Sequence, residues 1–138
     1  MKILISSYTG LGNFVLKTPM IYAIRKEYPN AIIDIITDHN FGVESILLKN
    51  NVINNILILR KNGSILSKIV FFKRLREAQY DAVLLPFDAQ PLFLILGSYI
   101  GNIKQRAMHF IAHQKKRSIF TMLMPWTICV QVLSNRHE

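Results

Sequence analysis

The sequence predicts an α/β fold built on a doubly wound parallel sheet, and three observations carry that prediction. Short, β-branched apolar runs recur along the chain, at Ile3–Ile5, Ala31–Thr37, Val52–Leu59, Asp81–Leu85 and Ile103–Met108. Each is nearly continuous, as expected of strands buried on both faces. The segments between them place their apolar residues at helical spacing, and Gly, Pro and Asn mark the joints. Strands alternating with helices form βαβ units, whose strands lie parallel.

The first strand, Ile3–Ile5, leads through Ser6-Ser7-Tyr8-Thr9 into Gly10-Leu11-Gly12-Asn13. Two glycines spaced by one residue let the backbone turn sharply and present its N–H groups with no Cβ in the way. A helical period follows through Phe14, Val15, Met20, Ile21, Ala23, Ile24 and Tyr28. Its start has two readings. Either the helix begins at Asn13 and Pro19 kinks it, or Thr18 caps it with Pro19 at the first helical position. In both, the glycine turn sits where α/β proteins bind ligands. It departs from the dinucleotide fingerprint, since Val15 occupies the place of the third glycine. The acidic candidates fit no better, Asp34 falling inside the next strand and Asp38 a little late.

Ala31–Thr37 is the second strand, with Asp34 in its middle and in need of a partner or a sheet edge. Asp38-His39-Asn40 forms a loop, and Phe41–Leu48 a short helix with Val43, Ile46 and Leu47 inward. Val52–Leu59 is the third strand, irregular at Asn54-Asn55, and Asn62-Gly63 is a turn. Ser64 then caps a helix in which Ile65, Leu66, Ile69, Val70, Phe72 and Leu75 form the inner side, leaving Lys68, Lys73 and Arg76 toward water. After the strand Asp81–Leu85, the loop Pro86–Pro91 leaves a carboxyl end, where open sheets place ligands. Leu92–Ile100 is a helix closed by Gly101, and Ile103–Met108 a last strand. Beyond His109 the pattern sets no order of elements.

A chain of 138 residues with 51% hydrophobic and 18% charged residues is long enough for one domain with a substantial core, and is not a disordered chain. The single cysteine, Cys129, excludes an internal disulfide and reads as a buried thiol in a reducing compartment. No signal-peptide core follows MKILI, and the apolar stretches Pro91–Ile100 and Ser118–Leu133 are short for a span, so the cytoplasm is expected. His109 and His113 have helical ligand spacing, but no third ligand lies near them, and no metal is expected.

Seventeen Lys and Arg against eight acids give a net charge of +9. The stretches Arg60–Arg76 and Lys104–Arg117 hold no acid. Such stretches are either solvated faces or attractors of polyanions: nucleic acid, an anionic leaflet or a phosphorylated glycolipid. No aromatic stacking motif or recognition helix accompanies the charge, so no nucleic acid is expected as partner.

A longer pattern joins these pieces. Gly10, Gly12, Thr18, Pro19, Tyr28, Pro29, Ala31, Ile33 and Asp34, then the segments Asn51–Ile56, Tyr80–Leu85 and Gly101–Arg106, resemble the amino-terminal domain of family-nine glycosyltransferases, the bacterial lipopolysaccharide heptosyltransferase type. The resemblance implies a Rossmann-like acceptor-binding domain over residues 1–110, the amino-terminal half of a GT-B glycosyltransferase. Residues 111–138 would end the same domain and lead towards a missing donor-binding domain. It implies transfer of a sugar, often a heptose, from a nucleotide-sugar donor to lipopolysaccharide or a related surface glycan, with inversion and without metal or other cofactor. Peripheral contact with the inner face of an anionic membrane goes with such an acceptor. The 138-residue chain would then be truncated and inactive alone.

Asn13 stands where the resembled family carries its general-base aspartate. An amide has no useful basicity near neutral pH, so Asn13 either hydrogen-bonds the acceptor or caps the helix. Asp88, in an Asp-x-Gln sequence with Gln90, is the remaining catalytic carboxylate, or else a loop aspartate bonding nearby amides. Gly10, Leu11, Gly12, Thr18, Asp38 and Gln90 are the expected substrate-binding residues, with His39 beside Asp38. The alternative is a non-catalytic module that binds a phosphorylated glycan or another polyanion and needs no base.

Overall fold

The computed structural model describes residues 1–8, 10–60, 62–86 and 92–107, and the backbone of 108–111 and 128–132. The strands are β1 (Lys2–Ser7), β2 (Ile32–Thr37), β3 (Asn55–Ile58), β4 (Ala82–Leu85), β5 (Gln105–Ile111) and β6 (Ile128–Val132). The helices are α1 (Leu11–Glu27), α2 (Val43–Lys49), α3 (Ile65–Ala78) and α4 (Leu92–Ile100). All strand pairs are parallel, in the order β3-β2-β1-β4-β5-β6. That is the Rossmann-like doubly wound order, with its reversal between β1 and β4. β6 falls in the region to which the sequence pattern assigned no elements.

Alternation along the strands divides the core in two. Leu4, Ile36, Val83 and Leu85 pack with Phe71 and Leu75 of α3 and Leu94 and Ile95 of α4. Ile3, Ile5, Ile33 and Ile35 pack with Phe14 and Ile21 of α1 and Leu47 of α2. Both faces are covered, so both parities of each strand are apolar, and the runs read as continuous. The register Ile3↔Ile33 and Ile5↔Ile35 stacks like with like on one face.

Polar groups lock the joints. The Arg25 guanidinium donates to the carbonyls of Pro29, Ala31 and Val52 and to Asn54 Oδ1, at 2.9, 2.7, 3.0 and 2.8 Å. Asn54 Oδ1 also accepts from the Ile33 N–H at 2.8 Å. This clamp explains the irregularity expected at Asn54-Asn55, and β3 begins after it. Asp34, buried mid-strand, finds its partners in Tyr80 and Asn55.

Several expectations are corrected. α1 starts at Leu11 with Gly10 as N-cap and runs through Pro19, so neither Asn13 nor Thr18 is the cap. Pro19 lies on the exposed side of the helix, where water can take the place of its missing amide bond. Phe14, Lys17 and Ile21 are buried, whereas Val15, Ala23 and Tyr28 are exposed. α2 buries Glu44 and Leu47 and leaves Ile46 outward. α3 is capped by Ser64 as expected, its hydroxyl accepting from the Ser67 N–H at 3.2 Å. Of the expected inner residues Leu75 is buried and Phe72 packs against the core, where Phe71 joins them, whereas Ile65, Leu66, Ile69 and Val70 face water. No helix among the described residues is long and apolar enough to cross a membrane.

Candidate functional site at the carboxyl edge of the sheet

Parallel strands put all carboxyl ends at one edge, and β1 and β4 adjoin at the reversal of strand order. The chain leaves β1 for α1 on one face and leaves β4 for α4 on the other. In sheets of this order the connections diverge at the reversal, and that edge is the place where they hold ligands.

Gly10 and Gly12 lie there. Gly10 is extended, with φ −63° and ψ 170°, a conformation open to any residue. The sharp glycine turn inferred from the sequence is therefore not what the backbone requires. Instead, a Cβ added at Gly10 or Gly12 would meet nothing within 4 Å, so both glycines border open space. Leu11, Gly12 and Asn13 are exposed, no side chain among the described residues caps α1, and its first turn holds no acid. Bare amides at the start of a 17-residue helix favour a negative group in front of them.

Asn13 is the third residue of α1, with its side chain in water. Lys17, four residues on and on the same side of the helix, is 1% exposed, and its Nζ donates to Ser7 Oγ at 3.2 Å. The end of β1 therefore carries a buried amine beneath the exposed turn. Thr18 is half-buried and donates its hydroxyl to the Phe14 carbonyl at 3.4 Å, within the helix.

β2 delivers Asp38 to the same edge, where His39 Nδ1 lies 3.4 Å from Asp38 Oδ2. The Thr37 hydroxyl donates to the His39 carbonyl at 2.8 Å and fixes this loop. Tyr8, just past β1, is anchored: its hydroxyl donates to the Leu59 carbonyl at 2.8 Å, and its ring meets Phe93 edge-on at 5.8 Å. Burial, then the nearby Asp38 charge, push the Tyr8 phenol well above its ordinary value, so it serves as a donor and not as a base. Glu44, fully buried in the first turn of α2, accepts from the Phe41 N–H at 3.1 Å through Oε2. Its Oε1 has no hydrogen-bond partner among the described residues. Asp88 and Gln90 lie outside the described residues, as does His113.

Sequence reasoning brought Gly10, Leu11, Gly12, Asn13 and Asp38 to one edge. It missed Lys17, Tyr8 and Glu44. A lysine reads as surface by default, and the only hint of its burial is that Lys17 falls between Phe14 and Ile21 in the inward period. Among the described residues no cluster of three His, Cys, Asp or Glu side chains is placed to hold a metal ion.

No protein-family model and no curated protein sequence matches the chain. Solved structures do. The chain is similar to a glycosyl transferase family 9 protein from Veillonella parvula, at 18% identity and a TM-score of 0.67, over 94% of this chain and 35% of that one. It is similar to E. coli ADP-heptose lipopolysaccharide heptosyltransferase II, at 20% identity and a TM-score of 0.61, over 79% of this chain and 30% of that one. E. coli heptosyltransferase WaaC, solved with ADP-2-deoxy-2-fluoro heptose, matches at 19% identity and a TM-score of 0.58, over 99% of this chain and 44% of that one. The chain thus spans less than half the length of each of these structures. Likeness at such identities establishes the fold: the chain has a Rossmann-like α/β fold of the kind found in GT-B glycosyltransferases.

Proposed function

We propose that the chain is the acceptor-binding half of a sugar-transfer enzyme of the heptosyltransferase kind. The donor would be a nucleotide-sugar, held mainly by residues outside these 138, and the acceptor lipopolysaccharide or a related surface glycan on the cytoplasmic face of the inner membrane. The observation that carries this reading is the uncapped, acid-free first turn of α1, which borders open space at the reversal of strand order. Its bare amides suit a phosphate or other anionic group of a core oligosaccharide. In this reading Gly10, Leu11, Gly12 and Thr18 shape the acceptor pocket with Asp38 and Gln90, and Asn13 orients the attacking hydroxyl. An amide cannot take up the proton, so transfer with Asn13 is expected to be weak, the opposing case being that Asp88 has taken over as base.

Titration of the isotope-labelled chain with a phosphorylated core oligosaccharide tests the site. The amides of Gly10 to Asn13 are expected to shift most. No shift there, or a response confined to the opposite edge of the sheet, overturns the assignment. The isolated chain is expected to turn over no nucleotide-sugar, and the chain joined to a donor domain to transfer sugar.

Asn13 favours one second reading, a non-catalytic module that binds a phosphorylated glycan. That module would bind the oligosaccharide equally well, yet remain without transfer when joined to a donor domain, with Asn13 or with Asn13→Asp.

A further inference from the structure

We propose that the outward side of α3, together with Ile58 at the end of β3, is a docking surface for an anionic lipid bilayer. Ile65, Leu66, Ile69 and Val70 are 77, 73, 55 and 51% exposed, and Ile58 is 58% exposed. At helical spacing these four residues form one stripe over the first two turns, directly opposite the buried Phe71 and Leu75. A helix apolar on both sides has a second apolar surface to cover. Beside the stripe lies a groove of about 500 Å³ between β3 and α3, lined in part by Ile58, Val70, Phe71 and Arg74. The apolar area is therefore continuous across two elements.

Charge decides the occupant. The stripe runs on into Lys73 and Arg76, with Arg74 at its flank and Arg60 before it, and Arg60–Arg76 contains no acid. Glu77, in the last turn, sits 3.9 Å from Lys73 and is offset by it. Apolar side chains bordered by long basic ones match an interfacial helix: the former enter the acyl boundary while the latter reach phosphate headgroups. A second copy of the chain would bring the same cations against these, at a net charge of +9 on each. An anionic leaflet meets both demands at once.

The position of α3 gives the docking a use. It begins where β3 ends, at the carboxyl edge, so Ile65 and Leu66 lie at the same edge as Gly10 to Asn13. Seated there, the domain turns its carboxyl edge toward the membrane, within reach of a lipid-anchored acceptor. Only this last step rests on the acceptor reading; the docking itself does not.

Flotation of the 138-residue chain with phosphatidylglycerol-containing and with pure phosphatidylcholine vesicles, both free of glycolipid, tests the proposal. Binding to the anionic vesicles is expected, falling as salt rises. Leu66→Ser/Ile69→Ser is expected to weaken it by about tenfold or more, and Lys73→Gln/Arg74→Gln to weaken it and flatten its salt dependence. All four positions are exposed, so the fold should survive, which circular dichroism checks; Ile46→Ser, an exposed apolar change on α2, is expected to leave binding unchanged. Equal binding to neutral vesicles, no binding at all, or a dimer that Leu66→Ser/Ile69→Ser dissolves without any vesicle binding overturns the proposal. Because no acceptor or donor is present, these outcomes are independent of the oligosaccharide titration.

Discussion

The Tyr80 hydroxyl donates a 2.6 Å hydrogen bond to Asp34 Oδ2, joining the approach to β4 to the middle of β2. Asn55 of β3 donates to the other oxygen, Oδ1, at 2.8 Å. A carboxyl group inside a sheet is tolerated because both oxygens are engaged. Tyr80→Phe keeps the ring and leaves Oδ2 without that donor. It is expected to destabilise the fold by about 1–3 kcal/mol, read as a lower urea midpoint with unchanged m-value. A change smaller than the error of that measurement would show the bond to be dispensable.

The same tyrosine, with Tyr8, makes stability depend on pH at the alkaline end. Burial, then the bond to Asp34 and its charge, hold the Tyr80 phenol well above its ordinary value, and burial with Asp38 does so for Tyr8. In the unfolded chain both release their protons near pH 10, about the ordinary phenol value, while the folded chain retains them. The folded state then binds more protons, so stability is full below that pH and falls as pH rises above it. Thermal unfolding followed from neutral to alkaline pH is expected to show this fall. Tyr80→Phe should reduce its slope, and an unchanged slope would show that another group titrates.

Asn13→Asp has two expected effects. In the chain joined to a donor domain, a carboxylate at this position is expected to raise the transfer rate by about 10²–10⁴-fold, as positioned base catalysis does. In the isolated chain, an acid in the first turn of α1 is expected to add about 0.3–1 kcal/mol of stability. Single-turnover rates and urea midpoints separate the two. No rate gain, with a large loss for Asp88→Asn, would assign the base to Asp88.

Gly97→Ala probes the packing of α3 on α4. A Cβ at Gly97 would lie 2.9 Å from the Phe72 ring and 3.2 Å from a Leu75 methyl, tighter than carbon contacts allow. A loss of about 1–3 kcal/mol is expected from this overpacking, measured by thermal or urea unfolding. A neutral result would show that the Phe72 ring moves aside freely.

The strands were legible because covering both faces of the sheet leaves continuous apolar runs such as Leu4-Ile5 and Ile35-Ile36. Helix α4 was legible to the residue, framed by Pro91 and Gly101. The inner side of α3 was not. Apolar residues occupy opposite sides of that helix, and periodicity alone cannot choose between them. Phe71 and Leu75 occupy the inner side, and the absence of a side chain at Gly97 leaves room for Phe72 and Leu75, a relation between distant positions. The start of α1 was obscured because Thr18-Pro19 is a sound cap signal in isolation, overridden here by burial of Phe14. At the site, position along the chain identified the edge and its glycines. The inward aim of Lys17 and the anchoring of Tyr8 on Leu59 depend on packing that sequence spacing does not encode.

The Arg25 clamp also bears on how the sheet assembles. It closes a separation of 29 residues between Arg25 and Asn54, whereas the contact of Lys2 with Asp81 spans 79. Chain-closure entropy makes the longer loop costlier by about 0.9 kcal/mol, before any contact within it repays that cost. The half-sheet β1-β2-β3 thus has the entropic advantage as a folding nucleus, with the guanidinium tying α1 to the α1–β2 and α2–β3 connections in one cooperative unit. β4 and the strands beyond it then add to a preformed edge of β1. The reversal of strand order, which needs both β1 and β4, is completed only when that second stage is reached.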